Sequence, residues 1–501
     1  MNLARSCIII AFCALVAAPA DFTITPDVQA ALERITADSL RGHVSFLASD
    51  LLEGRDTPSA GLDIAAEYIA AQLRRAGLEP AGDDGYFQTA ALVLVKPNLD
   101  GFELAFETGG ETIRVAKESV RTAQSSGAVD LTRAPAVRIS LDDPAALEQW
   151  TPDQMRGKVV LASIPGFTSR EFMEGMRRVR AQLARLNPGL VVTLRRGSSE
   201  TTGLRLRDPS EAAGPPSLIV NSPELAKAVE ALKPGPVEAT VTVRMAPPVE
   251  TPVKPRNVAA VLRGSDPALK DTYILVTAHY DHTGVAPRGE GDRIFNGAND
   301  NASGAAAVIE LAAALAKLGH KPRRSIVFLT FFGEERGLFG SRYYARHPRF
   351  AIEKTVANLN LEQLGRTDET EGPQLARAAV TGFDYSDVGE TLRQAGELAG
   401  VTVFRHEKNS DSYFARSDNQ VFADLGIPAH TLSVAYFFPD YHRPGDHWDK
   451  LDYPNMEKVT RAAAVGLLMM ADSPEPPRWN EANPKAERYV KASKARSAGR
   501  P

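Results

Sequence analysis

The hydrophobic positions in the second half of the chain fall into short apolar runs that alternate with longer segments of helical periodicity. Four of the runs are continuous and rich in β-branched residues, which is typical of strands buried on both faces. They cover Tyr273–Ala278, Ser325–Phe332, Thr355–Leu361 and Ala429–Val434. The helical segments cover Ala302–Leu318, Gly337–Ala345, Val388–Ala399 and Met456–Ala471. The alternation predicts an α/β fold, with a mostly parallel mixed sheet flanked by helices.

The pattern before residue 251 differs from this alternation. Helical periodicity covers Ser39–Asp50 and Gly61–Gly77, and then short strand-like runs broken by Gly, Pro and Asp follow. Two helices, Glu171–Leu186 and Ser222–Leu232, interrupt those runs. We therefore expect a smaller β-rich domain inserted into the main domain. The expected boundaries are 21–95 for the first part of the main domain, 96–250 for the insertion and 251–472 for the rest of the main domain.

The first twenty residues, 1–20, have the pattern of an export signal. A positive charge precedes the apolar run Ile8–Val16, which is too short to span a bilayer, and small residues precede the expected cleavage site. Both cysteines, Cys7 and Cys13, lie in this segment, so a mature chain would have no thiolate ligand. We expect a signal peptide and a secreted or periplasmic protein, with an N-terminal anchor helix as the alternative.

Composition narrows the class of protein. Of the 501 residues, 43% are hydrophobic and 24% are charged, as in soluble globular proteins. The net charge is -4 without long blocks of one sign, so no nucleic-acid partner is expected. No later stretch has eighteen uninterrupted apolar residues, so we expect no stable membrane insertion after signal cleavage. The last segment, 473–501, has seven Lys or Arg against three Glu, and it is predicted to be a disordered basic tail.

Residues that can bind a metal follow the predicted strands at the points where the strands end. Because the carboxyl ends of parallel strands meet at one edge of a sheet, we expect these side chains to converge. Without cysteine, any metal must be held by histidine and carboxylate groups. The residues are His279 and Asp281 after the first strand, Asp300 before the first helix, Glu334 and Glu335 after the second strand, Glu362 after the third and His442 after the fourth.

A hydrolytic site with two cations needs one carboxylate that touches both ions, with about two further ligands for each. Asp300 is the expected bridge. His279 and Glu362 would complete one ion, and Glu335 and His442 the other.

The two remaining acids have different expected roles. Asp281 is placed to accept the second ring N–H of His279 and so to fix its orientation. Glu334 is adjacent to a ligand without being needed as one, so it is the candidate general base. Each residue taken alone also has a structural interpretation, such as a helix cap or a surface turn. The metal site is favoured because five ligands follow separate predicted elements.

Several neighbouring residues receive structural interpretations instead. The histidines beside ligands, His282 and His447, are expected to line the cleft, and the aspartates Asp446 and Asp449 to organise their loop. His430, in the last strand, is expected to be a satisfied core group, and Asn301 and Ser303, which follow Asp300, are expected to cap the helix. For the aromatic run Tyr436, Phe437 and Phe438, a side-chain pocket and an apolar loop on the core stay open.

These motifs resemble the co-catalytic di-zinc aminopeptidases of the aminopeptidase Y and bacterial leucyl aminopeptidase type. The matching stretches are Thr277-Ala-His-Tyr-Asp-His282, Asn296-Gly-Ala-Asn-Asp-Asn-Ala-Ser-Gly304, Phe332-Gly-Glu-Glu-Arg-Gly337, Asn360-Leu-Glu-Gln-Leu-Gly365, Ser417-Asp418 with Gly426-Ile-Pro428, and Tyr441-His442.

The resemblance implies a zinc-exopeptidase fold and the ligand roles given above. It also implies that Tyr441 donates a hydrogen bond to the oxyanion of the tetrahedral intermediate. The insertion is similar to protease-associated domains, through Gly157-Lys-Val-Val-Leu161. Glu362 stands where many members have Asp. The expected cofactors are two zinc ions per chain, with cobalt or manganese also suited to these ligands.

The sequence therefore predicts a di-zinc exopeptidase that removes N-terminal residues from peptides. Carboxypeptidase action or glutaminyl cyclisation on the same fold is one alternative, and a receptor or binding protein without catalysis is another. The residue preference and the oligomeric state stay open.

Overall fold

The computed structural model describes residues 22–124, 127–164, 170–195, 204–211, 214–370 and 372–499. The expected signal peptide and both cysteines lie outside these residues. The described chain divides into two compact units. The first comprises the residues up to Ala90 together with those from Pro255, and the second comprises Ala91–Lys254. The second unit thus begins and ends within five residues of the boundaries expected for the insertion, 96 and 250.

The first unit is built on one mixed sheet, to which nine strands contribute within the described residues. Its four central strands are parallel, and two of them, Ser325–Phe331 and Tyr273–His279, are buried along their whole length. This confirms the α/β fold with a mostly parallel core. In spatial order the strands are Glu79–Pro80, Arg256–Leu262, Ser325–Phe331, Tyr273–His279, Thr355–Leu361, Ala429–Ser433, Arg377–Val380 and Thr402–Phe404, with Phe87–Thr89 also paired to Arg256–Leu262.

Helices cover the sheet of the first unit. Ser303–Leu315 is rich in alanine and buried nearly all round, so it can pack closely against the strands. The helix Ala60–Ala76 follows the N-cap Ser59 and ends at the C-cap Gly77, within one residue of the predicted Gly61–Gly77. No helix among the described residues is both long and apolar enough for a membrane span. The other helices of this unit are Pro26–Leu32, Ala37–Leu47, Phe339–Arg346, Val388–Ala399, Asn409–Ser412, Asn419–Asp424, Tyr453–Asp472 and Glu487–Ser497.

The C-terminal segment corrects one prediction. Residues 473–499, expected to be a disordered tail, include the helix Glu487–Ser497 and pack on the sheet. Trp479 and Tyr489 stack with ring centroids 5.0 Å apart and are buried in the same core cluster as Phe422. The prediction was wrong because it used the average composition of the segment. A few apolar residues spaced along a basic segment are enough to attach it to a core.

The second unit has its own two sheets and its own cores. One sheet has eight strands among the described residues, in the order Glu111–Arg114, Glu103–Thr108, Gly235–Met245, Val129–Arg138, Val159–Ile164, Leu190–Arg195, Ser217–Val220 and Val120–Gln124. The other has the order Arg205–Arg207, Leu92–Lys96 and Val249–Val253. Its helices are Pro152–Met155, Arg170–Leu186 and Pro223–Glu230. Its relation to protease-associated domains stays a prediction.

Candidate metal centre

The carboxyl ends of the parallel strands bring the expected ligands together. His279 is the last residue of its strand, and Glu362 directly follows the strand Thr355–Leu361. Two clusters of potential ligand atoms form there, and within each cluster all the atoms lie within 4.8 Å of one another. The clusters are His279, Asp300 and Glu362, and His282, Asp300 and Glu335.

Asp300 lies between two histidines. Its Oδ1 is 3.3 Å from Nε2 of His279, and its Oδ2 is 3.1 Å from Nε2 of His442. The same His442 nitrogen is 3.4 Å from Oε1 of Glu335. The two oxygens of one carboxylate therefore face different sets of ligands, which is the arrangement a bridging ligand requires.

The side chains present fit divalent cations. Nε2 of His279 and Nε2 of His282 are buried, and neither makes a hydrogen bond within the described part of the chain. Buried polar atoms normally have partners, and imidazole nitrogens together with carboxylate oxygens form a donor set suited to zinc. The clusters thus have both the chemistry and the unmatched atoms of a metal site.

His282 is the residue that the sequence interpretation placed least well. It was expected to line the cleft, but it is fully buried and its Nδ1 lies 2.8 Å from Oε1 of Glu335. Its ring also packs against Gly297, where an added Cβ would lie 2.5 Å from Cγ of His282. The sequence signal for this position was the second histidine of the His279-Tyr-Asp-His282 motif. His282 either adds a ligand to the second cluster or orients Glu335.

Asp281 differs in detail from its expected role. Nδ1 of His279 lies 3.2 Å from the backbone carbonyl oxygen of Asp281, whereas the nearer carboxylate oxygen is 3.6 Å away. The carboxylate instead accepts the backbone N–H of Glu334 at 3.1 Å and the hydroxyl of Thr57 at 3.3 Å. Asp281 therefore orients His279 through its main chain and fixes the start of the Glu334 loop through its side chain.

The electrostatics of the site are those of crowded carboxylates. Burial raises the pKa of Glu334 well above its ordinary value, and the charges of Glu335 and Glu362 raise it further. Burial also raises the pKa of Glu362 to about 7, against the opposing effect of His279. Burial acts in the same direction on Asp300, but the adjacent histidines His279 and His442 outweigh burial and lower its pKa. So many buried acids are stable together only with compensating positive charge.

Tyr441 lies beside the last ligand. Its ring stacks on the ring of His442 with centroids 4.1 Å apart. Burial and the surrounding carboxylates, of which Asp300 contributes most, raise the pKa of Tyr441 well above 10. The phenol therefore keeps its proton at neutral pH and is available as a hydrogen-bond donor.

Residues of other loops support the ligands. Asp446 was expected to organise its own loop, but its carboxylate accepts the backbone N–H groups of Asn299 and Asp300, each at 3.0 Å. Asn301 accepts the N–H of Gly304 at 3.0 Å, as a helix cap does, and also the N–H of Gln363 at 3.2 Å. These bonds connect the loop that contains Asp300 to the loop that contains Asp446 and to the end of the strand that precedes Glu362.

The other residues that received structural interpretations from the sequence differ in burial and in hydrogen bonding. His430 is a satisfied core group, since its ring nitrogens lie 2.6 Å from the hydroxyl of Ser386 and 2.8 Å from the carbonyl of Thr381. His447 is partly exposed and lies 3.1 Å from a carboxylate oxygen of Asp292. Of the aromatic run, Tyr436 and Phe438 are buried and Phe437 is exposed.

The comparisons with known proteins agree with this geometry. Residues 257–466 match the model of peptidase family M28. A probable zinc metalloprotease of Pyrenophora tritici-repentis is 30% identical over 200 residues, which are 39% of this chain and 43% of that protein. The aminopeptidase YwaD of Bacillus subtilis is 27% identical over 195 residues, which are 38% of each chain. The match thus spans less than half the length of either relative.

A solved structure shows the same fold. The aminopeptidase from Aneurinibacillus sp. strain AM-1 superposes with a TM-score of 0.57 at 22% identity, over 91% of this chain and 97% of that one. All the ligands proposed from the sequence lie inside the matched residues 257–466. The similarity to peptidase family M28 therefore covers the segment that contains every proposed ligand.

Proposed function

We propose that this protein is a zinc-dependent aminopeptidase with two metal ions. The observation that carries the proposal is the position of Asp300, whose two carboxylate oxygens face His279 and His442. A shared carboxylate between two clusters of hard or borderline ligands is the mark of a two-metal hydrolase. The names of the relatives, a zinc metalloprotease and an aminopeptidase, support the same activity.

The ligands divide into two sets that share Asp300. His279 and Glu362 belong to the first set, and Glu335 and His442 to the second. Zinc held by these residues would lower the pKa of water to about neutrality and would polarise the scissile carbonyl. His282, hydrogen bonded to Glu335, holds that carboxylate in place or binds directly.

The residues of the chain then perform the proton transfers. Glu334, whose pKa is raised by burial, takes a proton from the attacking water. The water oxygen bonds to the carbonyl carbon, and the hydroxyl of Tyr441 donates a hydrogen bond to the oxyanion that forms. Glu334 passes its proton to the amine nitrogen as the C–N bond breaks.

The first test is the substitution Glu334→Gln. It keeps the shape of the side chain but removes the base, so kcat should fall by about a thousandfold while zinc content stays at two ions per chain. Hydrolysis of leucine p-nitroanilide and atomic absorption measure the two quantities. Glu353→Gln, at an exposed carboxylate, is the matched control and should behave as the wild type.

The outcome that contradicts the proposed base is a Glu334→Gln variant with near-normal turnover. The choice of an aminopeptidase over a carboxypeptidase is tested with peptides that have free or acetylated amino termini. Faster cleavage of the acetylated peptide would overturn aminopeptidase action. Fewer than about one zinc ion per wild-type chain after reconstitution would overturn the metal site itself.

A further inference from the structure

The segment Ala48–Thr57, which we call the brace, lies more than two hundred positions before the first proposed ligand. It contains the short 3-10 turn Asp50–Arg55 and precedes the helix Ala60–Ala76. Nothing in its sequence is a metal ligand of the clusters described above. It nevertheless contacts three of the loops that carry the site.

The side chain of Arg55 joins two ligand loops. It is fully buried, and its Nε donates to the carbonyl of Tyr280 at 2.7 Å, between His279 and Asp281. Its Nη1 donates to the carbonyl of Asn296 at 2.8 Å, and its Nη2 donates to that of Gly297 at 3.0 Å. A further bond goes to the carbonyl of Leu47. One rigid guanidinium thus sets the separation between the His279 loop and the Asp300 loop.

The backbone of the brace also packs directly on these loops. The carbonyl of Arg55 accepts the N–H of His282 at 3.3 Å. Gly54 has φ +67°, and an added Cβ would lie 2.5 Å from the carbonyl oxygens of both Gly284 and Phe295. Arg55 itself has φ +48°, which a side-chain-bearing residue adopts only where its surroundings enforce it. The close approach therefore depends on this particular backbone path.

The third loop is held by the residues that follow. Asp56 accepts two hydrogen bonds from Arg336, at 3.0 Å from Nε and 2.6 Å from Nη2, directly after Glu335. The hydroxyl of Thr57 donates to Asp281 at 3.3 Å. These contacts to the three loops all lie within five residues of a proposed ligand or of the proposed base.

Arg55 also brings a positive charge to the acidic cluster. Burial lowers its pKa to about 10, while the carboxylates of Asp281, Asp446 and Asp300 act to raise it. The guanidinium therefore stays charged at neutral pH. Its hydrogen bonds in the described chain go to backbone carbonyls, so it does not take up the carboxylate oxygens of Asp300 that are proposed to bind metal.

We infer that Arg55 is a positioning residue for the metal centre, and that the brace holds the His279, Asp300 and Glu335 loops at metal-binding distances before an ion arrives. The inference rests on the proposed function, because it assumes that these residues hold zinc. Groups that orient metal ligands are typically worth about ten- to a hundredfold in metal affinity.

The test compares Arg55→Lys with Arg324→Lys. Lysine keeps the charge but, as a point donor, cannot reach carbonyls on two loops at once. Arg324 is a matched control, because it is also buried and donates to the backbone carbonyls of Ser473 and Pro474. It directly precedes the strand Ser325–Phe331, at the end of that strand opposite to the proposed metal site. Zinc binding to the metal-free proteins is measured by competition with a chromophoric chelator, and circular dichroism monitors folding.

The expected result is a zinc affinity about tenfold lower or more for Arg55→Lys at one or both sites, with Arg324→Lys close to wild type. At limiting zinc, kcat of Arg55→Lys should fall more than KM changes, and excess zinc should restore part of it. A merely structural defect would also lower the circular dichroism signal of the metal-free protein, whereas a positioning defect would leave that signal unchanged. If Arg55→Lys binds both ions as tightly as wild type, the inference is wrong although the proposed function stands.

A second variant covers the case in which Arg55→Lys does not fold. Asp56→Asn keeps the size of the side chain and weakens the partly exposed contact to Arg336, so the fold should tolerate it. Its zinc affinity should fall in the same direction by a smaller factor, and an unchanged affinity would overturn the brace. Wild-type protein that binds no zinc would instead contradict the proposed function and not the role of Arg55 alone.

Discussion

At the scale of single residues, buried polar groups in this protein divide into those with complete hydrogen bonding and those without. His430 belongs to the first kind, since both of its ring nitrogens have partners in the core. His279 and His282 belong to the second, since Nε2 of each has no hydrogen bond among the described residues. The difference separates a structural histidine from a candidate ligand without reference to sequence motifs.

The first prediction concerns His430 and pH. Burial lowers the pKa of His430 to about 4, whereas in the unfolded chain it is about 6.5. Between these values the unfolded state binds a proton and the folded state does not, so stability should fall as pH falls from about 6.5 towards 4. At pH 5 the loss should be about 2 kcal/mol relative to pH 7.5.

Urea unfolding of the metal-free protein at pH 7.5 and pH 5 measures this effect. His430→Asn should lose less stability than wild type over that interval, because it has no group that titrates there. His320→Asn is the control, since that side chain is almost wholly exposed. Equal acid sensitivity of wild type and His430→Asn would contradict the prediction.

The proposed ligands could be predicted from the sequence because each lies at the end of a recognisable strand or, for Asp300, at the start of a recognisable helix. The role of Arg55 could not be predicted in the same way. Its partners Tyr280 and Asn296 are 225 and 241 positions away, and contacts to backbone carbonyls leave no residue-type signal in either segment. The same reason hid the bond from Asp446 to the Asp300 loop.

At the scale of elements, the site depends on how closely the helix Ser303–Leu315 approaches the strand Thr355–Leu361. The helix starts three residues after Asp300, and Glu362 directly follows the strand. At Gly304, an added Cβ would overlap the carbonyl oxygen of Leu361. A glycine is needed there for space, so that the two ligand-bearing ends can meet.

Gly304→Ala should therefore destabilise the protein by about 1–3 kcal/mol through overpacking, and it should also weaken zinc binding. Gly42→Ala, in the helix Ala37–Leu47, is the control because an added Cβ there meets nothing within 4 Å. Alanine at that position should stabilise the helix by up to about 1 kcal/mol. Thermal unfolding of both variants measures the contrast, and a neutral Gly304→Ala would refute the packing argument.

The central elements were predictable to within a few residues, because continuous apolar runs and long periodic helices are strong signals. The strand Thr355–Leu361 and the helix Val388–Ala399 have the predicted bounds. The C-terminal helix Glu487–Ser497 was missed, since its stability comes from tertiary contacts of Tyr489 and Val490 and not from a local hydrophobic pattern.

At the scale of the whole molecule, the second unit is inserted into the chain of the first at a place where the two flanking segments of the first unit are adjacent. The N–H of Ala90 donates to the carbonyl of Pro255 at 3.0 Å, so the two chain ends on the first unit are adjacent. Within the second unit, the strands Leu92–Lys96 and Val249–Val253 form an antiparallel pair. Entry and exit therefore lie side by side in each unit.

Replacing residues 92–253 with a linker of about three Gly or Ser residues should leave a first unit that folds and binds zinc, because the gap is short enough for such a linker. Circular dichroism, thermal unfolding and zinc content measure the result. The isolated unit 91–254 should fold by itself on its own cores. Aggregation of the shortened protein with loss of zinc would show that the insertion is required for folding.

The burial of Trp479 and Tyr489 against the central sheet has a consequence for synthesis on the ribosome. The strands Tyr273–His279 and Ser325–Phe331 emerge long before the residues that cover one of their faces. Residues such as Tyr344 and Phe422 cover part of that face earlier, but the part covered by Trp479, Tyr489 and Val490 stays exposed until residue 490 has left the exit tunnel. Through that interval, the nascent chain presents an apolar surface that chaperones can bind.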